Sequence, residues 1–322
     1  MYRIDDPSAS TTLPTPEAAL TEGYWTEGNP GSGIPATLER ASWFNMVQEE
    51  LRAIPVAAGI VPSKTVYNQI LSALKSMFAS VVGSARNLTM SVAAASASAT
   101  LTADELIVET ALGGQTYRLA SFNKTINLAT TGAGGMDTGT APTSGFVAIY
   151  AIWNPTTQTA ALLGTNAATL QPNVYGGANM PAGYTASALV SVWPTNPSKL
   201  LKPGFQRDRT VNFPSVGVLS TNTVVGTYTA LSMSTAVPAN AVGCIGLFST
   251  SSTAGSALNG SIAGDSNGSA QQSVSSSGAI STGLSTTCNF QAQILTAQTL
   301  FYIFSSSAGT PTFFLSISAY QL

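Results

Sequence analysis

Charge is what this sequence has least of. Of its 322 residues 8% are charged, against about 25% in an ordinary soluble protein. Histidine is absent, and there are two cysteines, Cys244 and Cys288. Each shortage closes off a class of function. Lysine and arginine total 12 against 14 acids, so no basic footprint exists to displace counterions from a nucleic acid. Without histidine the chain lacks the commonest metal ligand and the usual general base near neutral pH. Two cysteines so far apart make neither a zinc knuckle nor a CxxC redox pair. No run of about eighteen apolar residues is present, so no transmembrane helix is expected. The start, Met1-Tyr2-Arg3-Ile4-Asp5-Asp6-Pro7, lacks the basic-then-apolar pattern of a secretion signal. Assembly in a cytoplasm is therefore expected. Hydrophobic residues still make up 44%, enough to exclude a disordered polyelectrolyte.

What charge there is sits unevenly. It is dense up to Arg86, thinner up to Arg209, and from Thr210 to Leu322 reduced to Asp265 alone. Together with the proline and helix signals, this gives four segments: an extended arm at 1–36, a helical region at 37–85, a β spacer at 86–209 and a β tip at 210–322. The expected class is mainly β with a short N-terminal α-helical region, the tip being a β-sandwich or jelly roll.

In the arm, Pro7, Pro14, Pro16, Pro30 and Pro35 with Gly23, Gly28, Gly31 and Gly33 block any long helix. Tyr24 and Trp25 stand there without a local core. Either the following helix or a different protein must cover them.

Thr37 is the expected N-cap of a first helix. Phe44, Val47, Leu51 and Ile54 form its apolar stripe, and Pro55 and Gly59 end it. A second helix is expected after Pro62, capped by Ser63 and carrying Val66, Leu71 and Phe78 besides its seam. Tyr67, Ile70, Leu74, Met77 and Val81 alternate spacings of three and four, the pattern of an a/d seam. Two such helices are too short to be stable alone. They pack on the rest of the chain or on copies of themselves about an axis, and the wide stripe favours the oligomer.

Beyond Arg86 the pattern turns to β. Residues 86–99 are a linker or first strand. Strands are expected at 105–109, 116–122, 145–153, 159–164 and 184–193. In the tip they are expected at 224–234, 241–249, 258–263, 271–275, 288–294, 300–305 and 312–321. Seven short strands separated by Ser/Thr/Gly turns argue for two packed sheets. In the last, Phe313, Leu315, Ile317, Ala319 and Gln321 share one face, and Phe314, Ser316, Ser318 and Tyr320 the other.

Catalysis finds little support. A glycosidase needs two carboxyl groups flanking the bond, and Asp265 is a lone turn residue in Gly264-Asp265-Ser266-Asn267-Gly268. Asp104 and Glu105 would face opposite sides of a strand; Glu105 and Glu109 would share one but flank an apolar run. Asp137 has no partner by spacing. No histidine exists to activate a serine. Gly132-Ala133-Gly134-Gly135 lacks the lysine of a phosphate loop and is expected to be a turn or flexible loop. Cys244 and Cys288 look like small buried strand residues, and a cytoplasm disfavours pairing them. No enzyme activity, cofactor or metal is expected. The charge-free, hydroxyl-rich and aromatic tip suits an oligomer core or an uncharged recognition surface.

Four segments resemble a known family. They are Met1-Tyr2-Arg3-Ile4-Asp5-Asp6-Pro7, the stretch 22–30 around Tyr24-Trp25, the stretch 35–51 around Trp43-Phe44, and 62–70 from Pro62 to Ile70. Together they resemble the N-terminal region of tail fibre proteins of tailed bacteriophages, over about a quarter of the chain. Less specifically, Gly135-Met136-Asp137-Thr138-Gly139, the stretch 148–157 and Met180-Pro181-Ala182-Gly183-Tyr184 are similar to fibre spacers. The resemblance implies a homotrimeric virion protein that docks on the tail or baseplate through its N-terminus. Its C-terminus would then bind a bacterial surface receptor, a polysaccharide or a pilus protein. It implies tail attachment by Tyr2, Ile4, Tyr24, Trp25 and Trp43, and a trimer interface of Phe44, Leu51, Tyr67, Ile70, Leu74, Met77 and Val81. The alternatives are a purely structural baseplate component and, behind it, a polysaccharide-cleaving fibre.

Overall fold

The computed structural model describes residues 1–77, 81–254, 257–277 and 284–322. The chain divides into two compact units, Met1–Ala79 and Ser80–Leu322.

In the first unit, α1 spans Ala41–Ala57 and α2 spans Gln69–Met77, after an extended arm and a single 3-10 turn at Pro30–Ser32. Three local expectations need correcting. Thr37 does not cap α1. Its Oγ1 accepts the Thr26 N–H at 3.1 Å and its own N–H donates to the Thr26 carbonyl at 2.9 Å. Thr37 is thereby tied back to the arm, and the N-cap falls to Arg40. Pro55 does not end α1 but lies inside it. Near a helix end its missing N–H removes one bond while the chain still closes, Ile60 N–H donating to the Pro55 carbonyl at 2.8 Å. Ser63 does not start α2. The buried Gln69 amide accepts the Ser63 N–H and donates to the Ser63 and Val66 carbonyls. That holds 63–68 as a loop, so Tyr67 and Val81 stand outside the helix and only Ile70, Leu74 and Met77 of the seam lie on α2. Phe78 lies outside the described residues.

The second unit is β, and the chain is mainly β overall. Its strands are β1 (Ala85–Arg86), β2 (Thr89–Val92), β3 (Ser98–Glu109), β4 (Thr116–Asn127), β5 (Phe146–Asn154), β6 (Thr159–Asn166), β7 (Ala186–Pro194) and β8 (Gly204–Arg207). They continue with β9 (Thr210–Thr221), β10 (Val225–Ser232), β11 (Gly243–Ser252), β12 (Ala257–Ala263), β13 (Gln272–Ser277), β14 (Leu284–Gln293), β15 (Thr299–Ser306) and β16 (Pro311–Gln321). One large sheet runs β14-β11-β16-β9-β8-β2-β3-β7-β5-β6, with β1 and β4 also pairing β3. A second runs β10-β15-β12-β13.

The best-protected strands are β5 and β7. Both are buried on both faces, Trp153 alone being half-buried. This explains why their sequences are continuous apolar runs rather than alternations. At the other end the small sheet packs on the large one through aromatic rings. Phe248 of β11 lies 5.3 Å from Phe304 of β15, which stacks on Phe313 of β16 at 4.1 Å.

The charge change at Thr210 falls inside the β8–β9 hairpin, where Phe205 pairs with Asn212 and Arg207 with Thr210. The strand β9 itself was not foreseen, because Pro214 and Gly217 interrupt its pattern. In β16 Phe313, Leu315, Ile317 and Ala319 are buried together on one of the two faces, but the other is buried in part as well. Tyr320 and Ser316 are buried, because register shifts in the β16 pairings re-aim the strand.

The chemistry-poor loops are also accounted for. Asp265 accepts the Asn267 and Ser269 N–H groups, and bonds to Ser269 hold its carboxyl below the usual range. The glycine loop at 132–135 is pinned rather than flexible, Gly134 N–H reaching the Leu162 carbonyl at 2.7 Å and Asn127 N–H reaching the Gly134 carbonyl. Cys244 and Cys288 are both free. They lie on paired strands, but Cys244 faces Ala292 while Cys288 faces Phe248, an offset of four residues or about 13 Å along the strand.

Candidate functional site

The N-terminal unit carries surface with nothing on it. Among the described residues, twenty of the twenty-eight exposed large apolar side chains lie at 1–77. Within it Pro55, Gln69 and Ala73 are buried, so the helix pair has almost no core of its own. Exposed apolar surface on this scale is the mark of an interaction site.

Two clefts organise that surface. The first, of about 660 Å³, lies between the chain start, α1, the 63–68 loop and the start of α2. Tyr2, Ile4, Phe44, Tyr67 and Ile70 line it. Arg3 holds the chain start over α1 with two bonds to Glu49, at 2.5 and 2.7 Å. Asp5 takes the Lys64 ammonium at 2.6 Å. The Arg3 bond lowers the Glu49 carboxyl below its usual range, and the carboxylate raises the guanidinium. These exposed pairs fix register more than they stabilise.

The second cleft, of about 800 Å³, is bounded by the arm and the start of α1. Trp25 meets Trp43 edge-on at 5.5 Å, and Trp43 meets Phe44 in the same manner at 5.4 Å. Trp25 therefore finds cover on its own helix, while Tyr24 remains 98% exposed. Glu17 anchors the arm on the Ser42 hydroxyl at 2.8 Å. Leu20, Leu38 and Met46 add exposed apolar wall. Sequence reading missed Leu20 because an arm without periodicity offers no pattern to read, and Leu38 and Met46 because they fall off the stripe of Phe44, Val47, Leu51 and Ile54.

The expected residues thus gather in two places, Tyr2 and Ile4 in one cleft with Phe44, Tyr67 and Ile70, and Tyr24, Trp25 and Trp43 in the other. Leu51, Leu74 and Met77 are exposed on the helices. Val81 belongs to the second unit and is exposed there.

Among the described residues, the carboxylates of strand β3 and its neighbours are each tied to a separate partner. Asp104 bonds Asn87, Glu105 pairs with Arg118 at 3.2 Å, and the buried Glu109 accepts the Gly113 N–H. Asp137 accepts the Tyr175 hydroxyl at 2.8 Å. Among the described residues no three Cys, Asp or Glu side chains are grouped to hold a metal ion. No described helix is long and apolar enough to cross a membrane.

No family model matches the chain. It is 40% identical over 78 residues to the Mu-like prophage FluMu defective tail fiber protein of Haemophilus influenzae (strain ATCC 51907 / DSM 11121 / KW20 / Rd). About a quarter of this chain resembles a phage tail fibre protein. A second relative is the uncharacterized protein StfP of Escherichia coli (strain K12), 34% identical over 80 residues. The tail fibre similarity covers 24% of this chain and 12% of that protein, and the StfP match 25% and 36%. The chain thus spans a small part of the length of both. A chain from the crystal structure of the T13 IBDV viral particle aligns with 74% of this chain and 73% of its own length. Its TM-score is 0.19 at 12% identity, too low to bear on fold.

Proposed function

We propose that this chain is a non-enzymatic, homotrimeric tail fibre of a bacteriophage virion, assembled in the host cytoplasm. Its N-terminal unit docks on the tail or baseplate, and its C-terminal strands bind the bacterial surface. The observation that carries the reading is the uncovered apolar surface of the N-terminal unit, in a chain similar to tail fibre protein over a quarter of its length.

In this reading Tyr2, Ile4, Tyr24, Trp25 and Trp43 face the tail. Phe44, Leu51, Tyr67, Ile70, Leu74, Met77 and Val81 face the neighbouring copies, and the two groups need not be covered at the same stage of assembly. A three-copy arrangement gives the helix pair the core that it lacks alone. Residues 86–209 act as the spacer. From Thr210 on, the strands lie in two rows, β14-β11-β16-β9 and β10-β15-β12-β13. That order supports a jelly-roll tip. Its near absence of charge suits recognition by hydroxyls, amides and aromatic rings of a polysaccharide or a pilus protein.

Two measurements on the full chain test this. Light scattering is expected to give three times the chain mass, with Leu74→Asp giving the single-chain mass; a monomeric parent overturns the trimer. The purified protein is expected to block adsorption of its phage to host cells, and no block at saturating protein overturns receptor binding. Release of sugar from host polysaccharide would overturn the non-enzymatic reading.

A further inference from the structure

Asparagine is followed by glycine twice in this chain, at Asn259-Gly260 and at Asn267-Gly268, and each pair is followed by serine. Asparagine is a thermolabile side chain, and a following glycine makes its loss easiest. The glycine nitrogen carries no Cβ beside it and has a free choice of backbone angles, so it can close a five-membered ring on the amide carbon before it. Two identical Asn-Gly-Ser triplets have the same local chemistry. Any difference between them is set by the fold.

The fold holds the two in opposite ways. Asn259 and Gly260 lie within β12, which has β15 on one side and β13 on the other. Asn259 pairs with Ser275 and Ser305, and Gly260 with Val274 and Phe304. The Asn259 side chain is exposed and Gly260 is buried, but the backbone of both is fixed as extended strand. Ring closure there requires two ladders to open first.

Asn267 and Gly268 lie in the turn after β12. Asn267 is exposed. Its backbone N–H donates to Asp265 Oδ1 at 3.0 Å, and its side-chain amide makes no hydrogen bond among the described residues. Gly268 has a φ of +85°, a left-handed conformation that glycine adopts without strain. Its N–H reaches the Asp265 carbonyl at 3.3 Å, beyond the usual range for such a bond. The frame around the pair is firm. Gly264 N–H donates to the Ser269 carbonyl at 2.9 Å, and Asp265 takes the Ser269 N–H at 2.9 Å and its hydroxyl at 2.7 Å. A loosely held nitrogen therefore stands next to a free amide, within a turn that closes without them.

We propose that Asn267 is a self-modification site, losing its side-chain amide in the folded protein through a cyclic imide formed with Gly268. The Gly268 nitrogen gives its proton to solvent and attacks the Asn267 side-chain carbonyl carbon. A C–N bond forms there, the bond to Nδ2 breaks, and Nδ2 leaves as ammonia with a proton taken from solvent. Water then adds to one of the two ring carbonyls and opens the ring, leaving aspartate or isoaspartate. Nothing is oxidised or reduced. The product places a second carboxylate in the turn of Asp265, which is otherwise the one charged side chain from Thr210 to Leu322. The proposal does not depend on the tail-fibre reading.

The test is a time course of the full chain at mildly alkaline pH, native and in denaturant. Chymotryptic peptides are read by tandem mass spectrometry, since no lysine or arginine follows Arg209 for trypsin to cut. In the native protein Asn267 is expected to convert to the acid at least about tenfold faster than Asn259. In denaturant that difference is expected to vanish. Anion exchange is expected to show a more acidic species accumulating in step with the Asn267 product. Asn267→Gln, with an unchanged circular dichroism spectrum, is expected to abolish that species. Conversion of Asn267 in denaturant but not in the native protein overturns the proposal. So do equal native rates at the two asparagines, or an acidic species that persists in Asn267→Gln. None of these results bears on chain mass, so this proposal and the trimer reading fail separately.

Discussion

The buried hydroxyl of Tyr320 donates to the carbonyl of Val192, joining two strands 128 residues apart in sequence. The same ring lies 6.5 Å from Phe146 and 5.6 Å from Phe213. Through this one side chain the last strand is packed onto β5, β7 and β9. The charge-poor end of the chain and the part before Thr210 therefore share a core.

That junction predicts joint unfolding. Tyr320→Phe is expected to cost about 0.5–1.5 kcal/mol and Tyr320→Ala about 3–5 kcal/mol. Heating is expected to melt residues 86–209 and 210–322 together, followed by near-ultraviolet circular dichroism. Two separate transitions, with only the later one moved by Tyr320→Ala, would contradict this.

Alkaline pH should loosen the β unit. Burial, helped by the bond to Asp137, raises the Tyr175 hydroxyl to about 12, and burial also raises Tyr150 and Tyr320. An unfolded tyrosine ionises near pH 10, so the folded chain binds more protons above that point. Stability is then full below about pH 10 and falls as pH rises towards 12. Denaturant midpoints across that window check the sign, and Tyr175→Phe should flatten the slope.

The two thiols should behave differently. Burial lifts the Cys244 thiol to about 12, and Cys288 is raised from its ordinary value but half-buried. A thiol reagent on the native protein is expected to label Cys288 and to reach Cys244 only after denaturation. Mass spectrometry under non-reducing conditions should find no intramolecular disulfide.

Gly260 lies against the Phe248 ring of the other sheet. A Cβ there would overlap the Phe248 ring. Gly260→Ala is expected to displace that ring from Phe304 and cost about 1–3 kcal/mol, read by chemical denaturation. Gly226→Ala, with open space around its Cβ, is the matched control.

Local periodicity made several elements legible. The tip strands at 224–234, 241–249 and 312–321 lie within one to three residues of β10, β11 and β16. Alternation survives in β11 because every second side chain is buried and those between are half-buried. The helices were less legible at their ends. Gln69 reaching Ser63 and Thr37 pairing with Thr26 are side-chain contacts that outweigh capping preference, and no spacing rule encodes them. In the candidate site the aromatic anchors stood out by residue type, whereas Leu20, Leu38 and Met46 did not.

By itself, the sequence determined the β class, the placement of most strands, the paucity of charge and the lack of histidine chemistry, because composition and alternation are properties of the chain alone. Only tertiary structure decided that β16 buries Tyr320 as well as the face of Phe313 and Leu315, and that Cys244 and Cys288 miss each other by four residues. Each depends on register and on which strand becomes whose neighbour. Those are set by contacts between residues a hundred or more apart, which local pattern does not carry.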